Sequence, residues 1–177
     1  MNPFRYKTRM VVAVLSLSIF SFAPLQAGGL FHAAEKSAAR RIMAKGFNPA
    51  KFKANARFGK GLYLAKRPST ALAEKGTSRS VIRLKEKPLL KKKSIDFRNP
   101  TGKKLRQFLG KKYDLRGSVK KKTIGPRAGR KIGKIAGNNK KAIMFRSSRN
   151  GGTNIFIPKK TYREFPNMVR PEKMIGK

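Results

Sequence analysis

Apolar and polar residues are arranged in the first part of the chain so that short strands and short helices are predicted in turn. The apolar run Leu30–Ala33 predicts a strand, and residues 34–45 continue with apolar positions at helical spacing. Gly46 is suited to end that helix because glycine tolerates a left-handed backbone. Three further elements are predicted after it: a strand at 61–65, a helix from Pro68 to Gly76, and a strand at 80–84.

The second part of the chain is more basic, and its predicted elements are less regular. Residues 105–109 predict one amphipathic helix, whereas three glycines within 127–137 predict that a helix there would be weak. The apolar runs at 142–145 and 155–157 predict two strands, and Asn150-Gly151-Gly152 between them is typical of a hairpin turn. The order of the elements predicts an α+β fold and not regular βαβ units.

Residues 1–27 have the pattern of a secretory signal peptide. Three basic residues precede the apolar segment Val11 to Ala23, which is 13 residues long, and Pro24 and the small residue Ala27 follow it. This segment is shorter than the roughly 20 residues that span a bilayer, which favours cleavage after Ala27 over an uncleaved membrane anchor. We therefore expect a secreted or periplasmic protein with no stable membrane insertion after cleavage.

The predicted domain organisation has three parts. After the signal peptide, residues 28–158 would form one folded domain with a basic insert at about 85–141. The insert holds several lysine runs with scattered glycine and proline, so part of it is expected to be mobile or ordered only on a partner. Residues 159–177 would form a basic C-terminal tail with apolar side chains available to dock.

The charge of the chain is extreme, because 45 Lys and Arg residues face 7 Asp and Glu residues and give a formal net charge of +38. Self-repulsion of this size opposes compaction, so we expect a polyanionic partner. RNA, DNA, an anionic membrane or envelope polymer, and an acidic protein all satisfy this expectation. The chain has no cysteine, so an exported form would depend on its core and not on disulfides.

Several common kinds of site are excluded by the sequence. One histidine and no cysteine exclude the usual zinc sites, and no Walker loop, Rossmann fingerprint or Ser-His-Asp set is found. The remaining candidate for a binding site combines the lone histidine, His32, with a later segment, Phe58-Gly59-Lys60-Gly61-Leu62-Tyr63. An imidazole orients a hydroxyl well, and an aromatic face binds a flat ring at low entropy cost. These residues predict a pocket for a flat, polar ring.

Three segments together resemble the ADP-ribosyltransferase fold, in its poly(ADP-ribose) polymerase and diphtheria-toxin-like branch: Phe31-His32, residues 57–65, and Pro68-Ser69-Thr70-Ala71. The stretch 140–157, with its Gly-Gly-Thr-Asn segment, is similar to the last strand pair of bacterial polymorphic-toxin domains with that fold. The resemblance implies split antiparallel sheets with short helices around a cleft that binds NAD as a substrate.

The resemblance also implies a role for individual residues. His32 would hydrogen-bond a ribose hydroxyl of NAD, the backbone of Ala33 would meet the nicotinamide amide, and Tyr63 would stack on the nicotinamide ring. Gly61 would let the backbone approach the ligand closely. Ser69 would lie near the pocket wall at the start of a helix.

Asn154 marks a departure from the family's pattern. It falls where many active members carry a glutamate that supports positive charge on the ribose, and an amide cannot offset that charge as a carboxylate does. The toxin-like domains that match this segment often have asparagine there too. Three acidic residues are conceivable substitutes for the missing carboxylate: Glu74, Glu86 and Glu164.

Two functions are therefore considered. The first is an exported toxin or effector that transfers ADP-ribose from NAD to a polyanionic or nucleic-acid-associated target or to a target protein, with an immunity protein as a further partner. Its catalytic residues would be His32, Tyr63 and Asn154. The alternative is a catalytically inactive module of the same fold that binds nucleic acid or an anionic envelope polymer. A membrane-active cationic protein is disfavoured because glycine and proline interrupt the lysine runs.

Overall fold

The structure, a computed structural model, describes residues 29–76, 80–116, 118–120 and 123–175. The signal peptide expected at residues 1–27 lies outside them and stays a prediction. The strands of the described residues are β1 (Gly29–Ala34), β2 (Gly61–Ala65), β3 (Ser80–Glu86), β4 (Ser94–Phe97), β5 (Val119–Lys120), β6 (Thr123–Ile124), β7 (Ala142–Arg146), β8 (Thr153–Pro158) and β9 (Val169–Ile175). The α-helices are α1 (Lys36–Lys45), α2 (Pro68–Lys75), α3 (Pro88–Lys92), α4 (Gly102–Leu109), α5 (Pro126–Asn138) and α6 (Lys159–Glu164), and short 3₁₀ turns occur at Pro49–Lys51 and Pro166–Met168.

Seven of these strands form one mixed sheet in the order β4-β7-β8-β2-β1-β3-β9. Neighbouring strands are antiparallel except β4 and β7, which run parallel. The sheet is nearly divided at its middle, because β1 and β2 share a single register pair, Phe31 opposite Ala65. By contrast, β1 and β3 share six register pairs. The predicted α+β class with short helices is confirmed, and the antiparallel sheets expected as split are present as one mixed sheet that is nearly divided at its middle.

Local sequence signals explain where the first two helices begin and end. Helix α1 ends at Gly46, whose φ of 73° lies in the left-handed region that favours glycine. Helix α2 has Pro68 in its first turn, where the missing N–H leaves no donor unpaired, and it ends at Gly76. These helices, and the strands predicted at 30–33 and 61–65, are confirmed.

Two of the three hydrophobic clusters among the described residues form most of the core, and the third packs Ala71 of α2 against β1, β2 and β3. The first packs the sheet against α1 and α6, and includes Leu30, Ala39, Leu64, Ile82, Ile155 and Tyr162. The second packs it against α4 and α5, and includes Phe58, Phe97, Leu105, Ile132, Phe145 and Phe156. Because both clusters draw on β8, the last strand pair is central to the core.

Helix α5 differs from the expectation of a weak helix, because it forms 13 residues of α-helix despite its glycines. Gly129 and Gly133 lie against the segment that precedes β2, and Gly137 lies against Pro158 at the end of β8. A Cβ at Gly129 would be 2.6 Å from the carbonyl oxygen of Arg57, and one at Gly133 would be 1.9 Å from that of Phe58. The helix can approach the backbone of Arg57 and Phe58 this closely only because Gly129 and Gly133 have no Cβ. The resulting packing offsets the low helical propensity of glycine.

The intervals expected as an insert and a tail both contribute to this folded unit. Within residues 85–141, β4 pairs with β7, and the side chain of Leu105 is fully buried. Within residues 159–175, β9 pairs with β3 at one edge of the sheet, and Met168 is fully buried. Neither pairing is signalled by the local sequence, because both join strands that are distant along the chain.

The hairpin predicted near the C-terminal end is confirmed. Strands β7 and β8 pair antiparallel, with Phe145 opposite Asn154, and Gly151 takes a φ of 70° in the connecting turn. In the part of the chain that the structure describes, no helix has both the length and the apolar character needed to cross a membrane.

Candidate functional site

A cleft of about 1100 Å³ opens where β1 and β2 diverge. Its walls come from these two strands, from α1 and α2, from the segment that joins α1 to β2, and from β7 and β8 with the turn between them. Five of the residues predicted from the sequence line it: His32, Ala33, Gly61, Tyr63 and Asn154. The fold therefore brings these residues together in one cleft, and their roles toward a ligand stay predictions.

His32 links the two diverging strands. Its Nδ1 lies 2.9 Å from the carbonyl oxygen of Tyr63, and since a carbonyl only accepts, Nδ1 carries the proton and Nε2 the lone pair. Burial lowers the pKa of His32 below its ordinary value of 6.5, against the opposing effect of the Tyr63 hydrogen bond, and the charge of Lys75 lowers it further. The ring also packs edge-on against Phe47. At neutral pH the imidazole is uncharged and presents Nε2 as an acceptor.

Tyr63 is fixed at its hydroxyl and along its ring. The hydroxyl accepts a hydrogen bond from the backbone N–H of Phe58 at 2.8 Å. The ring packs against Phe156 with centroids 4.8 Å apart and edge-on against Phe145 at 6.3 Å. Burial raises the pKa of Tyr63 well above its ordinary value, so the phenol stays protonated at physiological pH. Tyr63 is therefore a rigid aromatic wall of the cleft.

An acidic side chain enters the same cleft from α2. One oxygen of Glu74, Oε1, accepts hydrogen bonds from Asn154 Nδ2 at 2.8 Å and from Ser147 Oγ at 2.5 Å. Arg149 Nε lies 4.0 Å from the other oxygen, Oε2. Asn154 is only 3% exposed, whereas the side chain of Glu74 is 35% exposed. A buried amide thus orients a carboxylate that remains accessible to a ligand.

The two other acids considered as substitutes are engaged elsewhere. Glu86 pairs with Lys66 at 2.5 Å, and Glu164 pairs with Lys140 at 2.7 Å. Among the described residues, Glu74 is the one acidic side chain in the lining of the cleft. Of the three acids considered from the sequence, Glu74 is therefore the one that lies in the cleft.

Cationic side chains surround Glu74 in the cleft. Arg57 Nη2 donates to Ser148 Oγ, and its guanidinium carbon lies 5.7 Å from the centre of the Phe145 ring. The other cations of the lining are Arg41, Lys45, Lys51, Lys53, Lys75 and Arg149. A concave surface with this excess of positive charge attracts anionic ligands, including phosphates.

Ser69 lies outside the lining of the cleft. It is exposed in the first turn of α2, while its neighbour Thr70 is buried. Thr70 Oγ1 accepts a hydrogen bond from Asn150 Nδ2 at 3.2 Å, and this bond connects the β7–β8 turn to α2. In this part of α2, the structure points to Thr70 and Glu74 as the side chains that shape the site.

Gly61 borders the cleft and is also needed for packing, while its expected role in close approach to a ligand stays a prediction. A Cβ at this position would lie 2.2 Å from the ring of Phe156 and 2.4 Å from the carbonyl oxygen of Ile157. Glycine is required here because β8 approaches β2 so closely. The adjacent Gly59 has a φ of 87°, so it allows the turn that leads into β2.

Sequence reasoning did not connect Glu74 with Ser147 and gave no role to Arg57. Glu74 and Ser147 are 73 residues apart in the chain, so no local pattern links them. A usable signal was the position of Glu74 in the last turn of a helix that directly follows β2. For Arg57, the signal was its place immediately before the glycine-containing turn.

A solved structure to which this chain is similar is informative about the fold. No protein-family model matches the chain, and no curated protein matches it either. The chain is similar to a chain in the crystal structure of the M. tuberculosis MbcT–MbcA toxin–antitoxin complex, with a TM-score of 0.53 and 10% sequence identity over 86% of this chain and 85% of that chain. At this identity the likeness shows a shared fold.

Proposed function

We propose that this chain is a toxin-like enzyme of the ADP-ribosyltransferase type that cleaves NAD at the bond to nicotinamide. The observation that carries the proposal is the Glu74 carboxylate, which lies in the same cleft as His32 and Tyr63. Positive charge develops on the ribose when that bond breaks, and a preorganised carboxylate stabilises such charge. Glu74 is preorganised by its hydrogen bonds to Asn154 and Ser147.

Each group then has a defined part in the proposed reaction. Tyr63 holds the nicotinamide ring, and the neutral His32 accepts a hydrogen bond from a ribose hydroxyl at Nε2. The bond between the ribose carbon and the nicotinamide nitrogen breaks, and nicotinamide leaves with the electron pair. Glu74 stabilises the positively charged ribose until water or an acceptor group bonds to the same carbon and gives up its proton.

The toxin role rests on the likeness to a structure of a toxin–antitoxin complex. We further propose that residues 1–27 direct export and that an immunity protein protects the producing cell. A polyanionic or nucleic-acid-associated acceptor is supported by the formal net charge of +38.

Nicotinamide release by the purified chain tests the proposal. The informative variant is Glu74→Gln, which keeps the shape of the side chain, and the matched control is Glu35→Gln at an exposed acid before α1. We expect Glu74→Gln to lower the rate by about 100-fold or more, and Glu35→Gln to leave it unchanged. Labelled NAD with RNA, DNA or protein as acceptor then identifies the class of target.

The same experiment separates the enzyme from the inactive module. A folded sample that neither binds NAD nor releases nicotinamide would overturn the proposed activity and leave the binding module as the better account. If the Glu74→Gln and Glu35→Gln variants both retained full activity, the enzymatic class would stand but the role of Glu74 would be wrong.

A further inference from the structure

Helix α5 carries a continuous row of positive charge on its outer face. Arg127, Arg130, Lys131 and Lys134 are all exposed, and they occupy positions i, i+3, i+4 and i+7 of one helix. This spacing places them along a single stripe, which spans about 10 Å at the rise of an α-helix. We call these four residues the α5 basic face.

The opposite face of α5 is committed to the core. Ala128, Ile132 and Ala136 are buried, and Gly133 is in contact with the backbone of Phe58. A helix that binds a bilayer needs an apolar face to insert into it. Because the apolar face of α5 is already covered, the helix offers a ligand its charges alone, which favours phosphates in solution over a membrane.

These charges are not neutralised within the described part of the chain. The ion pairs found among the described residues engage other cations, and none involves the α5 basic face. Lys131 Nζ lies 4.6 Å from the centre of the Tyr113 ring, which is a contact with an aromatic face and adds no negative charge.

A concave surface of about 490 Å³ adjoins this row. Arg127 and Lys131 line it from α5, and Lys111, Lys112 and Tyr113 line it from the segment after α4. Its one acidic residue, Asp114, pairs with Arg116 at 3.2 Å. The basic face therefore continues into a recess that contains both further cations and an aromatic ring.

We infer that the α5 basic face and this recess bind the phosphodiester backbone of a nucleic acid. Four cations spread over about 10 Å match the regular spacing of phosphates along such a backbone, whereas an isolated phosphate would contact only one or two of them. Tyr113 supplies a ring beside the cations, as in surfaces that bind single strands. The contacts are to phosphates, so binding is independent of sequence. This surface lies outside the NAD-type cleft, and the inference does not depend on the proposed reaction.

Binding of a fluorescent single-stranded RNA of mixed sequence, measured by anisotropy at several salt concentrations, tests the inference. The variant Arg127→Gln/Arg130→Gln/Lys131→Gln/Lys134→Gln removes the basic face. The control Lys36→Gln/Arg40→Gln/Lys91→Gln/Lys92→Gln removes the same charge from exposed positions on α1 and α3. All eight positions are exposed on helices, and thermal melts verify that both variants are folded.

We expect the α5 variant to bind roughly 100-fold more weakly at about 50 mM salt and to show a salt slope smaller by about 3, with little change in the control. Equal losses in both variants would mean that net charge alone binds the RNA, and that result would overturn the inference. Loss of binding to vesicles that contain phosphatidylglycerol, with RNA binding unchanged, would overturn it in favour of a membrane. Nicotinamide release measured on the same α5 variant separates failure of this site from failure of the cleft.

Discussion

The side-chain amide of Asn154 donates a hydrogen bond of 2.8 Å to the carboxylate of Glu74, so the acid of the cleft comes from a helix and not from the last strand pair. The two residues are 80 positions apart in the chain. Asn154 stands where the family resemblance places a glutamate. Its amide orients the carboxylate of Glu74, which belongs to α2. A negative charge is therefore present in the cleft, and it is supplied by α2 and not by β8.

Replacing Asn154 by aspartate should disrupt this arrangement. Two carboxylates within hydrogen-bond distance cannot both stay ionised without strong repulsion, so the pKa of one rises and it binds a proton. We expect Asn154→Asp to lower nicotinamide release by roughly 10- to 100-fold. The control is Asn139→Asp, at an exposed position that follows α5. An Asn154→Asp variant as active as the unmodified chain would show that the strand position itself accepts the catalytic acid.

His32 predicts that the folded chain loses stability as the pH becomes acidic. Burial lowers the pKa of His32 in the folded chain below the ordinary value of 6.5, so the unfolded chain binds more protons at acidic pH. The contribution of neutral His32 to stability is complete above about pH 6.5 and declines as the pH falls below it. We expect urea midpoints to drop between about pH 7 and pH 5.5 in the unmodified chain and to drop less in His32→Gln.

Nuclear magnetic resonance offers a direct check of that shift. The chain has one histidine, so its imidazole proton signals need no assignment among several residues. A titration midpoint below 6.5 in the folded chain agrees with a buried, neutral ring. A midpoint at or above that value would contradict the proposed neutral acceptor in the cleft.

The elements that local sequence predicts well are those whose signals lie within a few residues. The strand around Leu64, the end of α1 at Gly46 and the β7–β8 turn at Gly151 all combine an apolar run with a nearby turn residue. Proline at position 68 likewise marks the start of α2. Such signals need no knowledge of distant segments, which is why these elements were predicted within one or two residues.

The features that the sequence did not predict depend on contacts between distant segments. Glycine lowers the propensity of α5, and the compensating contact of Gly133 with Phe58 crosses 75 positions of the chain. The pairing of β9 with β3 and of Glu74 with Ser147 are equally non-local. A single sequence gives the chemical character of these residues but not their partners, so the clustering of His32, Tyr63 and Asn154 could be inferred only through the family resemblance.

Gly133→Ala should destabilise the protein even though alanine favours helix. A Cβ at position 133 would lie 1.9 Å from the carbonyl oxygen of Phe58, so the helix or the Phe58 backbone must move. We expect a loss of about 1–3 kcal/mol in the free energy of unfolding, beyond the gain of about 1 kcal/mol in helical propensity. The control is Lys134→Ala, an exposed neighbour on the same helix. A Gly133→Ala variant more stable than the unmodified chain in urea would mean that α5 is not packed against this segment.

Two substitutions at Tyr63 distinguish its contribution to stability from its contact with the nicotinamide ring. Tyr63→Phe keeps the ring but leaves the backbone N–H of Phe58 without its acceptor at 2.8 Å, and an unpaired buried donor costs about 1–3 kcal/mol. Tyr63→Leu also removes the flat surface on which the nicotinamide would stack. We therefore expect both variants to unfold at lower urea concentration, but only Tyr63→Leu to raise the KM for NAD by roughly 10-fold or more. Equal KM values in the two variants would show that Tyr63 supports the fold and does not contact the ring, and the nicotinamide would then have to bind against another wall of the cleft.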